Sequence, residues 1–351
     1  MKLKKNILVA PLNWGIGHAT RCIPIIRKLQ EHNFNVIIAS SGRSLELLIQ
    51  EFPNQDFIKI DDYNIKYYSF LPMAISILIQ IPKILLSIKK EHAQLKSIIN
   101  DFKIDGIISD NRYGMYSEEI PSVFITHQLE IQTPIFRSFI KKINHKLIGK
   151  FSECWVPDFE TNGIAGKLSH TTNTTINYKY IGPLSRFTKK KSEIKYDILA
   201  IISGPEPQRS ILEKNLIREL KLHKNKSLLL QGKPEKKYTD KINNLTIKSH
   251  LSSEELNLAM IESRLIICRA GYSTIMDLFK LQKNAVLIPT PGQTEQEYLS
   301  KYLSESRYFK SINQNEINLK NLIVTTQKFQ NIKERNEDTN WNTLLNIFNL
   351  S

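Results

Sequence analysis

The sequence predicts an α/β protein made of two doubly wound domains facing a cleft. Two observations carry that reading. Short apolar runs alternate with stretches of helical apolar spacing, once before and once after residues 182–194. The length of 351 residues suits two domains at roughly 150 residues each, and each half is large enough to bury a core without disulfide staples.

In the first half, residues 6–10 (NILVA) form a short apolar run suited to a buried parallel strand. Residues 11–18 (PLNWGIGH) read as a turn, and 19–30 carry Cys22, Ile25, Ile26 and Leu29 at helical spacing. Residues 35–39 (NVIIA) supply the next strand, so the opening is a βαβ unit. Residues 106–109, 122–126 and 154–156 continue as strands. The stretch 182–194 (GPLSRFTKKKSEI) combines Gly, Pro and four basic residues without apolar periodicity and reads as a linker. Alternation then restarts, with strands at 196–202, 227–230, 265–268 and 285–288 and a helix over 210–220. The expected domains are 1–184 and 195–335. In 339–350, Trp341, Leu344, Leu345 and Phe348 fall at helical spacing and suit core packing.

Composition narrows the function classes. The chain carries 49 Lys and Arg against 34 Asp and Glu, a net charge of +15, which favours anionic ligands or a lysine-rich solubilising surface. Cys22, Cys154 and Cys268 are scattered and form no CxxC pair, which fits a reducing cytoplasm and argues against structural zinc. The apolar run Ile7–Ala10 is too short for a signal-peptide core. No nucleic-acid motif accompanies the charge, so a nucleic-acid partner is not expected. The pair Asp61-Asp62 reads as a solvated turn rather than a metal site. Residues 69–88 (SFLPMAISILIQIPKILLSI) approach membrane-spanning length but contain Pro72, Pro82, Gln80 and Lys83. A buried core helix and an interfacial contact with anionic lipid are the main readings of that stretch, with a membrane-spanning helix the outsider.

Two segments carry chemistry. Gly15 and Gly17, between a strand and a helix, permit a tight turn and close approach of a ligand to backbone N–H groups. The third glycine of a dinucleotide fingerprint is replaced by Thr20, and the second strand ends in Ala39-Ser40-Ser41 without an acid, so NAD binding is disfavoured. His18, at the helix start, is either a catalytic group or a helix-end polar residue. In the second half, ICRAGYSTIMD ends a strand at Cys268, turns at Gly271 and begins a helix at Ser273 and Thr274. Such a helix end suits a diphosphate, and Asp277, one turn in, suits sugar hydroxyls. The loop PTPGQTEQEY (289–298) follows the next strand and is rich in amides and carboxylates.

These residues, CRAGYSTIMDL followed by LIPTPGQTEQEYL, resemble the nucleotide-sugar signature of glycosyltransferase family 28, and GIGHAT resembles that family's acceptor-side glycine loop with its histidine. The resemblance implies a GT-B fold: two Rossmann-like domains facing an interdomain cleft, donor bound by the second, no essential metal or other cofactor, and residues 336–351 returning as a helix to the first domain. It places Gly271, Ser273 and Thr274 at the diphosphate, Asp277 at the ribose, Gln296 and Glu297 at the donor sugar, and the backbone of Leu251 at uracil. Residues 69–88 correspond to the family's membrane-facing apolar patch, which implies peripheral attachment at the inner face of the membrane. The family's Gly-Gly-Ser-Gln-Gly loop is here SGPEPQR (203–209), whose two prolines remove backbone donors; Arg209 or Arg269 is the expected substitute at the phosphates. Glu297 replaces an amide with a carboxylate, which only accepts hydrogen bonds, so the donor is not tied to N-acetylglucosamine.

The expected activity is inverting transfer of a sugar from a UDP-sugar to a hydroxyl of a lipid-linked acceptor, with His18 as general base and Asp110 as its partner or substitute. A GT-B epimerase or donor hydrolase, and a non-catalytic nucleotide-sugar-binding protein, are the competing expectations.

Overall fold

The computed structural model describes residues 4–65, 79–131, 137–172, 175–233, 237–319 and 339–349. The chain divides into two compact units, Met1–Leu184 with Glu337–Ser351, and Ser185–Asn336.

The first unit is built on β1 (Asn6–Pro11), β2 (Asn35–Ser40), β3 (Asp56–Lys59), β4 (Gly106–Asp110), β5 (Ser122–Ile125), β6 (Glu153–Val156) and β7 (Tyr178–Tyr180), in the sheet order β3-β2-β1-β4-β5-β6-β7. Every pairing is parallel. A parallel sheet with helices on both faces needs strands apolar on both sides, and Ile7, Leu8, Val9 and Ala10 are accordingly fully buried. The helices are α1 (Gly17–Glu31), α2 (Gly42–Glu51), α3 (Ile81–Phe102) and α4 (Arg137–Ile148). α1 buries Ala19, Cys22, Ile23, Ile25, Ile26 and Leu29, and α3 sends Leu95 and Ile98 into a core with Leu8, Ile37 and Ile107. The short helix Trp341–Leu345 also packs here. Trp155 lies edge-on to Trp341 at 6.5 Å and to Phe348 at 6.3 Å, and Lys5 Nζ donates to the Phe348 carbonyl at 2.8 Å.

The second unit repeats the plan. Its elements are β8 (Tyr196–Ile201), α5 (Gln208–Lys221), β9 (Ser227–Leu230), β10 (Thr239–Ile242), β11 (Leu245–Lys248), α6 (Ser253–Ile261), β12 (Ser263–Cys268), α7 (Tyr272–Leu281), β13 (Ala285–Leu287), α8 (Thr294–Glu305) and β14 (Lys310–Ser311). The sheet order is β10-β11-β9-β8-β12-β13-β14, parallel except for the β10–β11 hairpin. That hairpin turns through Asn243-Asn244, with Asn243 at φ 54°, a left-handed conformation that asparagine tolerates better than most residues.

Each sheet reverses its winding beside its first strand, between β1 and β4 in one unit and between β8 and β12 in the other. Ligands of doubly wound sheets bind beyond the carboxyl ends of the strands at such a switch point. Pro11 pairs with Asp110 and Ile201 with Cys268 at these ends, so the glycine loop, Asp110, Ser203-Gly204 and Arg269 all fall at switch points.

Two expectations need adjusting. The stretch 182–194 has no regular structure but is not a loose tether, since its part from Ser185 onward belongs to the second unit. Phe187 is buried, Ser185 Oγ donates to Asp277 at 2.5 Å, Arg186 donates to Ser253 Oγ at 2.8 Å, and Asn257 donates to the Thr188 carbonyl at 3.1 Å. Of the apolar stretch 69–88, residues 69–78 lie outside the described residues. Residues 79–88 lead into α3 and expose Ile79, Leu85 and Leu86 beside Lys83, so this end of α3 is not a buried core helix. Among the described residues, no helix is long and apolar enough to cross a membrane.

Candidate functional site

In the first unit, four charged or titratable side chains meet under the glycine loop. Asp110, at the end of β4, is fully buried, and its Oδ1 lies 2.8 Å from His18 Nδ1. Arg21, one helical turn after His18 and therefore on the same face of α1, is 2% exposed. Its Nε donates to Asp110 Oδ2 and its Nη2 to Oδ1, a bidentate fork. Arg21 Nη2 also lies 2.9 Å from His18 Nδ1, and Nη1 lies 3.2 Å from Nδ1 of the buried His127, just beyond β5. The predicted pair, His18 and Asp110, is thus in direct contact.

Burial alone would raise the Asp110 carboxyl, but the Arg21 guanidinium and His18 outweigh it and hold it at about 2. Burial lowers the His18 imidazole below its usual value; Asp110 opposes this, and Arg21 adds to it. His18 is consequently neutral at neutral pH, the state in which an imidazole can accept a proton. Above it, Gly15 at φ 78° has nothing within 4 Å of a would-be Cβ, and Trp14 and Ile16 are about two-fifths exposed. These open the loop to a ligand with apolar character.

Sequence reasoning missed Arg21 and gave His127 no role. The available signal was an arginine three residues after His18, set on the largely apolar buried stripe of α1. His127 carried no such signal, because only the β4–β5 pairing brings it to α1.

In the second unit, Gly271 is the N-cap residue of α7, and a Cβ there would meet no described residue within 4 Å. Ser273 and Thr274 are partly exposed in the first turn, so the helix end is open to an anion. Arg269, 2% exposed, donates to the carbonyls of Gln208, Pro289 and Ile288 and to Gln314 Oε1. These partners are neutral oxygens, and burial draws the guanidinium down to about 10. Among the described residues, neither its Nε nor the buried Thr290 Oγ1 has a hydrogen-bond partner. Both atoms converge on Gly204, at φ 107°, where a Cβ would lie 3.6 Å from Arg269 Nε and 3.5 Å from Thr290 Oγ1. Two unsatisfied buried donors around a glycine form a cradle for an anionic oxygen.

Asp277 lies half-buried in α7, its Oδ1 accepting from Ser185. Burial raises its carboxyl to about 7, against the opposing effects of Ser185 and Arg186. Gln296 Oε1 accepts the Thr290 N–H at 2.9 Å and Glu297 Oε1 accepts the Gly292 N–H at 2.8 Å. Pro289 and Pro291 have no N–H, so these two side chains satisfy both backbone donors of the Pro-Thr-Pro-Gly turn. The Gln296 amide and the second Glu297 oxygen are what remain for a ligand. Leu251 ends the loop after β11, next to the Ser252–Glu255 capping box of α6. Arg209 is placed differently from the expectation. It binds Glu206 at 2.8 Å, Glu213 at 3.2 Å and the Gln231 carbonyl at 2.9 Å, so two carboxylates already meet its charge. Among the described residues, no cluster of three or more His, Cys, Asp or Glu could hold a metal ion.

Comparison with known proteins agrees with this fold. Residues 209–348 match the model of the glycosyltransferase family 28 C-terminal domain, which contains the signature read from the sequence. No curated protein sequence matches the chain. Among solved structures, the chain is similar to the glycotransferase of kitacinnamycin, with TM-score 0.62, 13% identity, 99% of this chain and 95% of that one covered. It is similar to MurG of Acinetobacter baumannii, with TM-score 0.60, 14% identity, and 99% and 100% covered. It is also similar to the spinosyn rhamnosyltransferase SpnG complexed with thymidine diphosphate, with TM-score 0.59, 11% identity, and 92% and 91% covered. The fold is that of the GT-B glycosyltransferases.

Proposed function

We propose that this chain is an inverting, metal-independent glycosyltransferase that moves a sugar from a UDP-sugar to a hydroxyl of a lipid-linked acceptor. The observation that carries the reading is the contact of His18 Nδ1 with Asp110 Oδ1 beneath an open glycine loop. A neutral imidazole held by a carboxylate at Nδ1 presents Nε2 as a general base for the acceptor hydroxyl. Attack by the resulting oxygen on the anomeric carbon forms the new glycosidic bond as the bond to the diphosphate breaks. Displacement from the opposite face inverts the centre.

The leaving diphosphate needs positive charge and hydrogen-bond donors. The open end of α7 at Gly271, Ser273 and Thr274, with the cradle of Gly204, Arg269 and Thr290, supplies both from the protein, so transfer proceeds without a metal. Asp277 suits the ribose hydroxyls, the backbone at Leu251 suits the base, and the remaining groups of Gln296 and Glu297 suit the sugar. A glycotransferase of kitacinnamycin and a spinosyn rhamnosyltransferase crystallised with thymidine diphosphate are among the similar structures, which supports a nucleotide-diphosphate donor. The exposed Ile79, Leu85, Leu86 and Phe139, interspersed with lysines, support peripheral attachment of a cytoplasmic protein to anionic lipid.

The test is a panel of nucleotide sugars read by thermal shift, followed by release of nucleotide with and without acceptor in the presence of EDTA. One donor is expected to stabilise the protein selectively. No stabilisation by any nucleotide sugar overturns the proposal. Free sugar or an epimer formed without acceptor would point instead to a hydrolase or epimerase.

A further inference from the structure

We propose that Arg21 is a positioning residue that fixes His127 with its proton on Nε2 and holds the Asp110 carboxylate that in turn fixes His18 with its proton on Nδ1. The tautomers follow from the geometry alone; their use in catalysis rests on the glycosyl-transfer reading above.

Arginine has five N–H donors and no acceptor. Arg21 Nη1 approaches His127 Nδ1 at 3.2 Å, and two N–H groups cannot hydrogen-bond to each other. His127 Nδ1 therefore carries the lone pair, and its proton sits on Nε2. At His18 Nδ1 the neighbours are Asp110 Oδ1 at 2.8 Å, Arg21 Nη2 at 2.9 Å and Asn111 Nδ2 at 3.4 Å. Asp110 is the acceptor among the three. A proton on Nδ1 satisfies it, whereas a proton on Nε2 would aim the Nδ1 lone pair at a fully buried carboxylate oxygen. Arg21 Nη2 gives one of its two N–H groups to that same oxygen.

The fork does two further things. It holds the Asp110 carboxylate in one plane, so Oδ1 stays on the His18 side. It also sets a positive charge against the carboxylate, so the pair as a whole does not draw a second proton onto His18. The charged and titratable groups facing His18 are Asp110 from β4, Arg21 from its own helix and His127 from beyond β5. Buried charge pairs fix geometry at a high cost of disruption, and the planar guanidinium is what lets one residue reach a carboxylate and two rings.

The experiment is long-range proton–nitrogen correlation NMR on the full chain labelled with 15N-histidine at pH 7.5, assigned with His18→Gln and His127→Gln. The expected pattern is two neutral rings of opposite tautomer, His18 with Nδ1–H and His127 with Nε2–H. Arg21→Lys keeps the charge but loses the fork, and is expected to leave His18 on Nδ1–H through Asp110 while His127 becomes a mixture of tautomers. In Arg21→Gln the His18 titration midpoint is expected to rise, because the carboxylate charge is no longer matched. His18 with its proton on Nε2 in the wild type, or both rings unchanged in Arg21→Lys, overturns the inference. These readouts need no substrate, so a protein inactive on every nucleotide sugar but showing this pattern would sink the transferase reading and leave this one standing.

Discussion

Asp110 stands opposite Pro11 in the pairing of β4 with β1, and that register brings its carboxylate to within 2.8 Å of His18 Nδ1 at the start of α1. The two residues are 92 positions apart. They meet because the glycine turn after β1 and the end of β4 occupy the same switch point of the sheet.

Replacing His18 by alanine is expected to lower the transfer rate by about 10²–10⁴-fold while nucleotide affinity stays within about twofold, since the donor groups lie in the other unit. Asp110→Asn is expected to behave differently. It leaves Arg21 buried without its carboxylate, so unfolding free energy should fall by about 3–5 kcal/mol along with the rate. Steady-state kinetics beside urea denaturation separates the two. A His18→Ala protein that turns over normally refutes the base assignment.

Asp277 makes donor binding depend on pH. Its carboxyl, raised to about 7 by burial, is ionised at pH 8 and largely protonated at pH 6. If the carboxylate holds the ribose, UDP-sugar affinity should weaken by about tenfold between those values, and Asp277→Asn should remove the dependence. Stability runs the other way. An unfolded Asp releases its proton near pH 4, so this group's contribution is full below about pH 4 and lost as pH rises through 7. The ligand-free protein should therefore lose thermal stability from this residue between those limits, and Asp277→Asn should flatten that slope.

Thr290→Val tests the cradle at Gly204. The hydroxyl has no partner among the described residues, so its removal should leave stability unchanged or slightly higher. Donor affinity should fall by about 1.5–3 kcal/mol if the hydroxyl meets a charged phosphate oxygen. Isothermal titration with the donor and a melting curve decide it, and unchanged affinity would rule the hydroxyl out.

The C-terminal segment should prove essential to the first unit. Phe348 is fully buried beside Trp155 and Phe34, so Phe348→Ala should cost about 3–5 kcal/mol. A Cβ on Gly106 would come within 2.4 Å of the Phe348 ring, so Gly106→Ala should cost about 1–3 kcal/mol by overpacking. The double variant should cost clearly less than the sum, because the new methyl occupies space the ring has vacated. Additive effects by chemical denaturation would show that the two sites do not share that space.

Local chemistry made much of this legible. The runs NILVA, NVIIA and SLLL are apolar on both faces and can only be strands of a covered parallel sheet, and the Gly271–Thr274 turn announces a helix start. The hairpin 239–248 was also within reach, through Asn243-Asn244. The segment 182–194 misled because its composition is that of a linker, whereas Ser185 and Arg186 are held by contacts with residues about 65–90 positions onward and Phe187 is buried.

By itself, then, the sequence determined two doubly wound halves and the glycine turns that open them, and it pointed to His18 as candidate base with Asp110 as its partner or substitute. The reason is that strand and helix periodicity and turn chemistry are set by neighbours within a few residues. Tertiary structure decided which charges are spent and which remain. It paired Arg209 with Glu206 and Glu213, left Arg269 Nε and Thr290 Oγ1 facing Gly204, and wound Arg21 into a fork between Asp110 and two histidines. Those outcomes depend on the register of strands some hundred residues apart and on the exclusion of water around buried charge, neither of which is written in any local run of residues.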